Sequence, residues 1–269
     1  MSGLALPEGH RLVSLVERPD LRDALNDHNG AVWPEFMLQD SVADHLWHHL
    51  DEDFPAFQLI LLDADDAIVG TANSAPIHWD GSDDGLPAGW DDQMQQSVAG
   101  LLDGTVPDTL GAVQIVVSPR HQGSQLSGVM LAAMKSVGRE HGYGAVIACV
   151  RPNLKHRYPT TPIERYAHWT REDGLPLDPW IRLHVRMGGR IVRASPESMT
   201  IRGTVAEWST WTGMAFPESG DYIVPVAADV VHIDRESHVG VYHDPNVWVI
   251  HDLTAMGPDD DTTRRGTTL

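Results

Sequence analysis

Between Leu110 and Val150 the chain reads as strand, glycine-bearing loop, helix and strand, and this unit restricts the fold more than any other. Val113, Ile115 and Val117 form an apolar run that Pro119 stops. The next six residues, Gln122 to Ser127, contain nothing aromatic or β-branched. Apolar residues then recur at Leu126, Val129, Met130, Ala133, Met134 and Val137, the spacing of a helix with one buried face. Gly142 closes that helix and Ala145 to Val150 is a second buried strand. A loop that runs straight into a helix N-terminus leaves backbone N–H groups unpaired and converging, and the helix dipole adds to their pull on an anion. The unit predicts a site for a cofactor that carries a pyrophosphate.

The rest of the chain sets limits around this unit. Its 269 residues suffice for one large core, and neither a repeat nor a linker divides them. One domain is therefore expected over residues 1–256. Residues 257–269, with the acidic run Asp259-Asp260-Asp261 and few apolar side chains, read as a disordered tail. No apolar run approaches a membrane span, and the N-terminus lacks the regions of a signal peptide, so the expected location is cytoplasmic. A formal charge of −19 opposes nucleic acid as a partner, and either attracts a cationic one or only maintains solubility. The single cysteine, Cys149, lies in a predicted strand and reads as an inert core thiol.

Read from the N-terminus, Arg11 to Glu17 predicts a strand, Asp20 to His28 a short helix, and Glu35 to Leu50 contains a second helix. Phe57 to Asp63 and Ala67 to Ile77 predict a hairpin turning at Asp65-Asp66. Residues 80–108 interrupt the order as an insertion, with a turn-rich acidic start. A helix marked by Trp90, Met94, Val98, Leu101 and Leu102 follows, either covering a pocket or packed on a sheet edge. Prolines at 152, 159, 162 and 176 keep the next segment irregular. Asp178 as N-cap and Pro179 then start a helix over Trp180 to Met187, which Gly188-Gly189 ends. Strands are expected from Arg190, at Tyr222 to Pro225, at Val230 to Ile233, at Val239 to Tyr242 and at Val247 to His251. Trp208 and Trp211 read as aromatic packing.

The stretch Val117-Ser118-Pro119-Arg120-His121-Gln122-Gly123-Ser124-Gln125-Leu126-Ser127 resembles motif A of the GCN5-related N-acetyltransferases, the GNAT superfamily. That pattern is Val-x-Pro, two residues, Arg or Gln, then Gly-x-Gly-x-Gly/Ala. Gln122 matches the Arg/Gln position, Gly123 the first glycine and Ser127 the small residue within the helix, whereas Gln125 replaces the second glycine. The resemblance implies an α+β fold, with a central mixed sheet flanked by helices, that binds acetyl-CoA or another acyl-CoA and needs no metal. It implies an enzyme that moves the acyl group to a primary amine, on a small molecule or a peptide, by direct attack. A protein of the same fold that binds acyl-CoA without turnover is the alternative.

The resemblance also assigns roles. The backbones of Val116 and Val117 would pair with pantetheine and polarise the acyl carbonyl. The segment Gln122, Gly123, Ser124, Gln125, Leu126 and Ser127 would hold the pyrophosphate, and Asn153 would meet pantetheine. His184 aligns with a tyrosine that protonates the departing thiolate in many members; Tyr158 and Tyr166 are upstream substitutes. Gln114 stands where some members carry a glutamate base, and an amide cannot take up a proton usefully. It would orient water, or the base would come from Glu35, His78 or Asp80. Apart from the resemblance, His45, His48 and His49 share one helical face with Asp44 or Asp51 nearby, a spacing that binds zinc in other settings and otherwise marks a solvated face.

Overall fold

The computed structural model describes residues 5–121, 123 and 125–254. In chain order its elements are β1 (Arg11–Ser14), α1 (Arg22–Gly30), α2 (Ser41–Glu52), β2 (Gln58–Leu62), β3 (Ile68–Ile77), α3 (Trp90–Asp103), β4 (Thr109–Val117), α4 (Leu126–Glu140), β5 (Ala145–Val150), α5 (Ile163–Tyr166), α6 (Pro179–Arg186), β6 (Arg190–Thr204), α7 (Val205–Thr212), β7 (Gly220–Tyr222), β8 (Val231–Asp234) and β9 (Val239–Asp252). The strands join one mixed sheet in the order β1-β2-β3-β4-β5-β9-β8-β7, with β6 along the other edge of β9. Only β4 and β5 run parallel, as a crossover through α4 requires.

Alternation along β2 distributes the core. Leu59 and Leu61 face the cluster that holds Met130, Met134 and Val137 of α4, so the stripe read from the sequence is the buried one. Ile60 and Leu62 face Leu25 of α1 on the opposite side. Helices therefore cover both faces of the sheet. Asp178 caps α6 by accepting from the N–H groups of Trp180 (2.9 Å) and Ile181 (3.2 Å), as its position before Pro179 predicts. In α3, Trp90, Met94 and Val98 are buried, but Leu101 and Leu102 face solvent.

The strand expected at Tyr222 to Pro225 is β7, which ends at Tyr222, and two further elements differ from the expectation at the C-terminal end. The strands expected at Val239 to Tyr242 and Val247 to His251 are one strand, β9. Asp244-Pro245-Asn246 resembles a turn, yet it continues β9 where the β6 register shifts between Ser195 and Met199. The extra residues Pro196 to Ser198 on β6 absorb a proline that cannot donate to the ladder. The second element is α7, whose start is signalled by Thr204 and Glu207. Thr204 Oγ1 accepts from the Glu207 N–H and the Glu207 carboxylate accepts from the Thr204 N–H, a complete capping box.

Candidate active site

The pairing of β4 with β5 stops at Ala112↔Ala148, while β4 continues beside β3 to Val117. The two parallel strands thus part, and a cavity of about 1170 Å³ fills the opening. Ser118 N–H donates to the Val69 carbonyl at 3.0 Å, which places Ser118 and, by alternation, Val116 and Gln114 in the pairs that bond toward β3. The N–H and C=O groups of Ile115 and Val117 therefore point into the opening. Of the two backbone positions named from the resemblance, Val117 presents its polar groups there; those of Val116 are directed to Thr71, and Ile115 takes its place. A bulge puts Val113 out of register, and its carbonyl accepts from Trp90 Nε1 at 2.9 Å.

At the mouth on the α4 side, Gly123 and Ser127 line the cavity and Asn153 closes it from beyond β5. Gly123 has φ +82° with open space where a Cβ would stand, and Gln125, the N-cap of α4, has φ +65°. Holding Gln125 left-handed costs about 1–2 kcal/mol, an expense that persists where the surroundings require that backbone. Leu126 is buried as the first residue of α4 and anchors the loop to the core. Gln122 and Ser124 lie outside the described residues. The amide-bearing loop, the small residues and the unpaired strand edge fit a pantetheine diphosphate.

His184 reaches the cavity from α6. Its Nδ1 lies 2.9 Å from His251 Nε2, and the Trp180 ring meets it edge-on at 4.6 Å. Burial, with His251 and Lys135 nearby, lowers its pKa to about 3. The ring is therefore neutral near pH 7, and the imidazolium of an ordinary general acid is not available. Its Nε2 is buried with no partner among the described residues.

The other half of the cavity lies under α1 and α2. Gln114 Nε2 donates to Asn73 Oδ1 at 3.2 Å, and Gln114 Oε1 accepts from Trp33 Nε1 at 3.2 Å. Asn29 Nδ2 also donates to Asn73 Oδ1 (3.0 Å), and Asn73 Nδ2 donates to Gln58 Oε1 (2.8 Å). The result is a neutral amide network running from the core to the wall, its members holding one another in fixed orientations. Trp33, Trp47 and Trp90 add flat apolar surface. Asp44 is the acidic lining residue and Arg151 the guanidinium, among the described residues. The sequence marks Asp44 only as a neighbour of the helix-face histidines, and nothing in it marks Arg151, which precedes a proline.

Tyr158 packs edge-on against Trp169 and is absent from the lining, as are Glu35, His78 and Asp80. Tyr166 is buried, with its hydroxyl donating to Asp178. His78 is paired with Asp108 at 2.6 Å, and Asp80 accepts from Ser82. His45 bonds the Ser41 carbonyl and His49 bonds Asp53, which orients two of the three helix-face imidazoles locally. Cys149 is buried, its thiol pushed up to about 12 chiefly by burial.

No family model matches the sequence. The chain is 30% identical to the arginine N-acetyltransferase avaD of Aspergillus versicolor, over 93% of this chain and 97% of the relative. Among solved structures, the loading GNATL domain of CurA from Lyngbya majuscula superposes with a TM-score of 0.58 at 19% identity, covering 91% of this chain and 98% of that one. A GNAT-like decarboxylase, GphF, in complex with isobutyryl-CoA superposes with a TM-score of 0.55 at 19% identity over the same shares. These two likenesses concern the fold. The described helices include none long and apolar enough to cross a membrane.

Proposed function

This chain belongs to the GCN5-related N-acetyltransferase superfamily and is an acyl-CoA-dependent N-acetyltransferase, and from that premise we propose that its acceptor is a small amine taken up in the half of the cavity under α1 and α2. Direct attack needs acceptor and thioester to meet in one space, and the observation that supports this reading is that a single cavity joins the β4–β5 opening to the tryptophan-walled half. A binding-only role is not favoured.

Acetyl-CoA supplies an activated acyl group. In this reading the amides of residues 122–127 hold its diphosphate and Asn153 meets pantetheine. The Ile115 and Val117 edge pairs with pantetheine and polarises the acyl carbonyl. His184 keeps Nε2–H when His251 donates to its Nδ1, and that hydrogen bond stabilises sulfur as negative charge develops on it. Gln114 acts by orientation, since it holds Trp33 and takes up no proton. The rim carboxylate Asp44 attracts a cationic amine, which releases one proton to water there. The amine's attack forms the C–N bond and breaks C–S, and its second proton reaches the departing thiolate through water. Tyr158 has no part in these steps.

The test is incubation with acetyl-CoA and single amines (arginine, agmatine, a polyamine, an arylalkylamine), following free thiol and N-acetyl product by mass spectrometry. Amine-dependent thiol release matched by product is expected for at least one small amine. Transfer only to protein or peptide amines would overturn the reading.

A further inference from the structure

Resting on that reading, the geometry points to Arg151 as an anchor for a carboxylate on the acceptor. The substrate class is then an amino acid with its carboxylate free, in preference to the corresponding decarboxylated amine. Ala148 and Val150 pack against α5 and α6, whereas Cys149 touches Ser198 on the other side of the sheet. Arg151 shares the parity of Cys149 and stands on the acceptor side.

The guanidinium there is fixed from three directions. Its Nε donates to Asp244 at 2.9 and 3.0 Å, and Asp244 is fully buried. Tyr242 Oη donates to the same carboxylate at 2.6 Å, and Asn246, with its amide turned to accept from Ser198 Oγ, donates to the other oxygen at 3.1 Å. Nη2 donates to the Val226 carbonyl at 3.3 Å. Val226 has φ +64°, a strained backbone for a β-branched residue, and it too lines the cavity. The Trp33 ring covers the guanidinium, with Cζ 5.7 Å from the ring centroid.

Asp244 and Tyr242 both hold the inner side of the guanidinium, while the side chain stays 22% exposed and belongs to the cavity lining. A guanidinium clamped from behind presents its remaining edge with little orientational entropy left to lose, which suits the planar oxygens of a carboxylate. Asp244 already balances its charge, so attraction comes from directed donors and favours a ligand with acceptor oxygens over a bare cation. Asp44 at the rim would meet the cationic part of such an acceptor.

The experiment compares arginine, arginine methyl ester and agmatine as acceptors for acetyl-CoA, with calorimetric titration of the same ligands into the enzyme loaded with CoA. Arginine is expected to exceed agmatine in kcat/KM, and in affinity for the CoA complex, by about tenfold to a hundredfold, the range of a lost hydrogen bond to a charged group. Arg151→Lys retains a cation beside Asp244 but lacks the fork, and should shrink that preference to about threefold or less. Equal use and equal binding of agmatine and arginine by the native enzyme would overturn the inference. A preference for a carboxylated acyl group over acetyl, without discrimination among acceptors, would also overturn it by assigning the anion to the donor. If no small amine is acetylated, the acceptor reading fails, and the titrations still decide the role of Arg151.

Discussion

His184 Nδ1 stands 2.9 Å from His251 Nε2, which ties the cavity end of α6 to the central strand β9. Both rings are buried, and burial is the main reason that their pKa values fall to about 3 and about 4. A polar pair this deep in the wall is neutral throughout the physiological range, and its chemistry is that of hydrogen bonding.

His184→Phe is accordingly expected to reduce kcat by about tenfold to a hundredfold through the lost hydrogen bond to sulfur, with the Kd of acetyl-CoA changed by less than about threefold. Steady-state kinetics and calorimetry separate the two. Unchanged kcat would remove His184 from the reaction. The native kcat profile should show no limb from this ring between pH 5 and pH 8.

The same pair gives a stability signature. In the unfolded chain both imidazoles titrate near 6.5, and in the folded state they do so lower. The unfolded state thus binds more protons below pH 6.5, so the stabilisation is present above that pH and is lost as pH falls toward about 4 and then about 3. The melting temperature should decline over this window, and His251→Gln should shallow that decline. A native melting temperature flat from pH 7 to pH 4.5 would count against two buried neutral imidazoles.

Asp40 and Asp91 form a second titrating pair, with the opposite sign. Their carboxyl groups face one another in the interior, with Asp40 Oδ2 and Asp91 Oδ1 lacking any other partner among the described residues. Burial, then the charge of Asp40, raises Asp91 to about 7, so one shared proton satisfies both oxygens. Its folded pKa exceeds its unfolded value of 3.8, so this stabilisation is complete below pH 3.8 and is lost as pH rises through about 7. Asp91→Asn supplies a permanent donor and should raise the melting temperature at pH 8 more than at pH 5. An equal effect at both would show that no proton is shared.

Gly123→Asp is expected to abolish the thermal shift given by acetyl-CoA, because a carboxylate would face the diphosphate and the backbone is left-handed. Gly123→Asn separates the causes, since asparagine tolerates this conformation and carries no charge. Asn should retain affinity within about tenfold of the native value if charge dominates. Loss of binding in both variants would assign the effect to strain.

Gln114→Glu should not accelerate turnover, although it installs a carboxylate at a position where some family members carry a base. The carboxylate would face Asn73 Oδ1, which Gln114 Nε2 now satisfies, and the repulsion costs about 1–3 kcal/mol of stability. Denaturant unfolding and steady-state rates at several pH values check both parts. A rise in kcat with pH in the variant would show that the native enzyme lacks only a base.

Legibility followed locality. The β4–α4–β5 unit and the Asp178 cap are written in short-range patterns, and the fold confirms them within a residue or two. β9 was divided because Asp244-Pro245-Asn246 has turn chemistry; its continuity depends on β6, more than forty residues earlier in the chain, supplying a matching irregularity. Arg151 gains its orientation from Asp244, Tyr242 and Val226, which are likewise distant in sequence. Asp44 is distinguished from other surface acids only by where α2 docks. The Thr204/Glu207 capping box was readable, and α7 would have followed from it.

The account stands most directly on where the diphosphate of the acyl donor sits. A crystal structure of the enzyme with CoA should show its oxygens bonded to the backbone amides of residues 122–127, and pantetheine hydrogen-bonded along Ile115 and Val117. A diphosphate held elsewhere on the molecule, with the β4–β5 opening left to solvent, would contradict it.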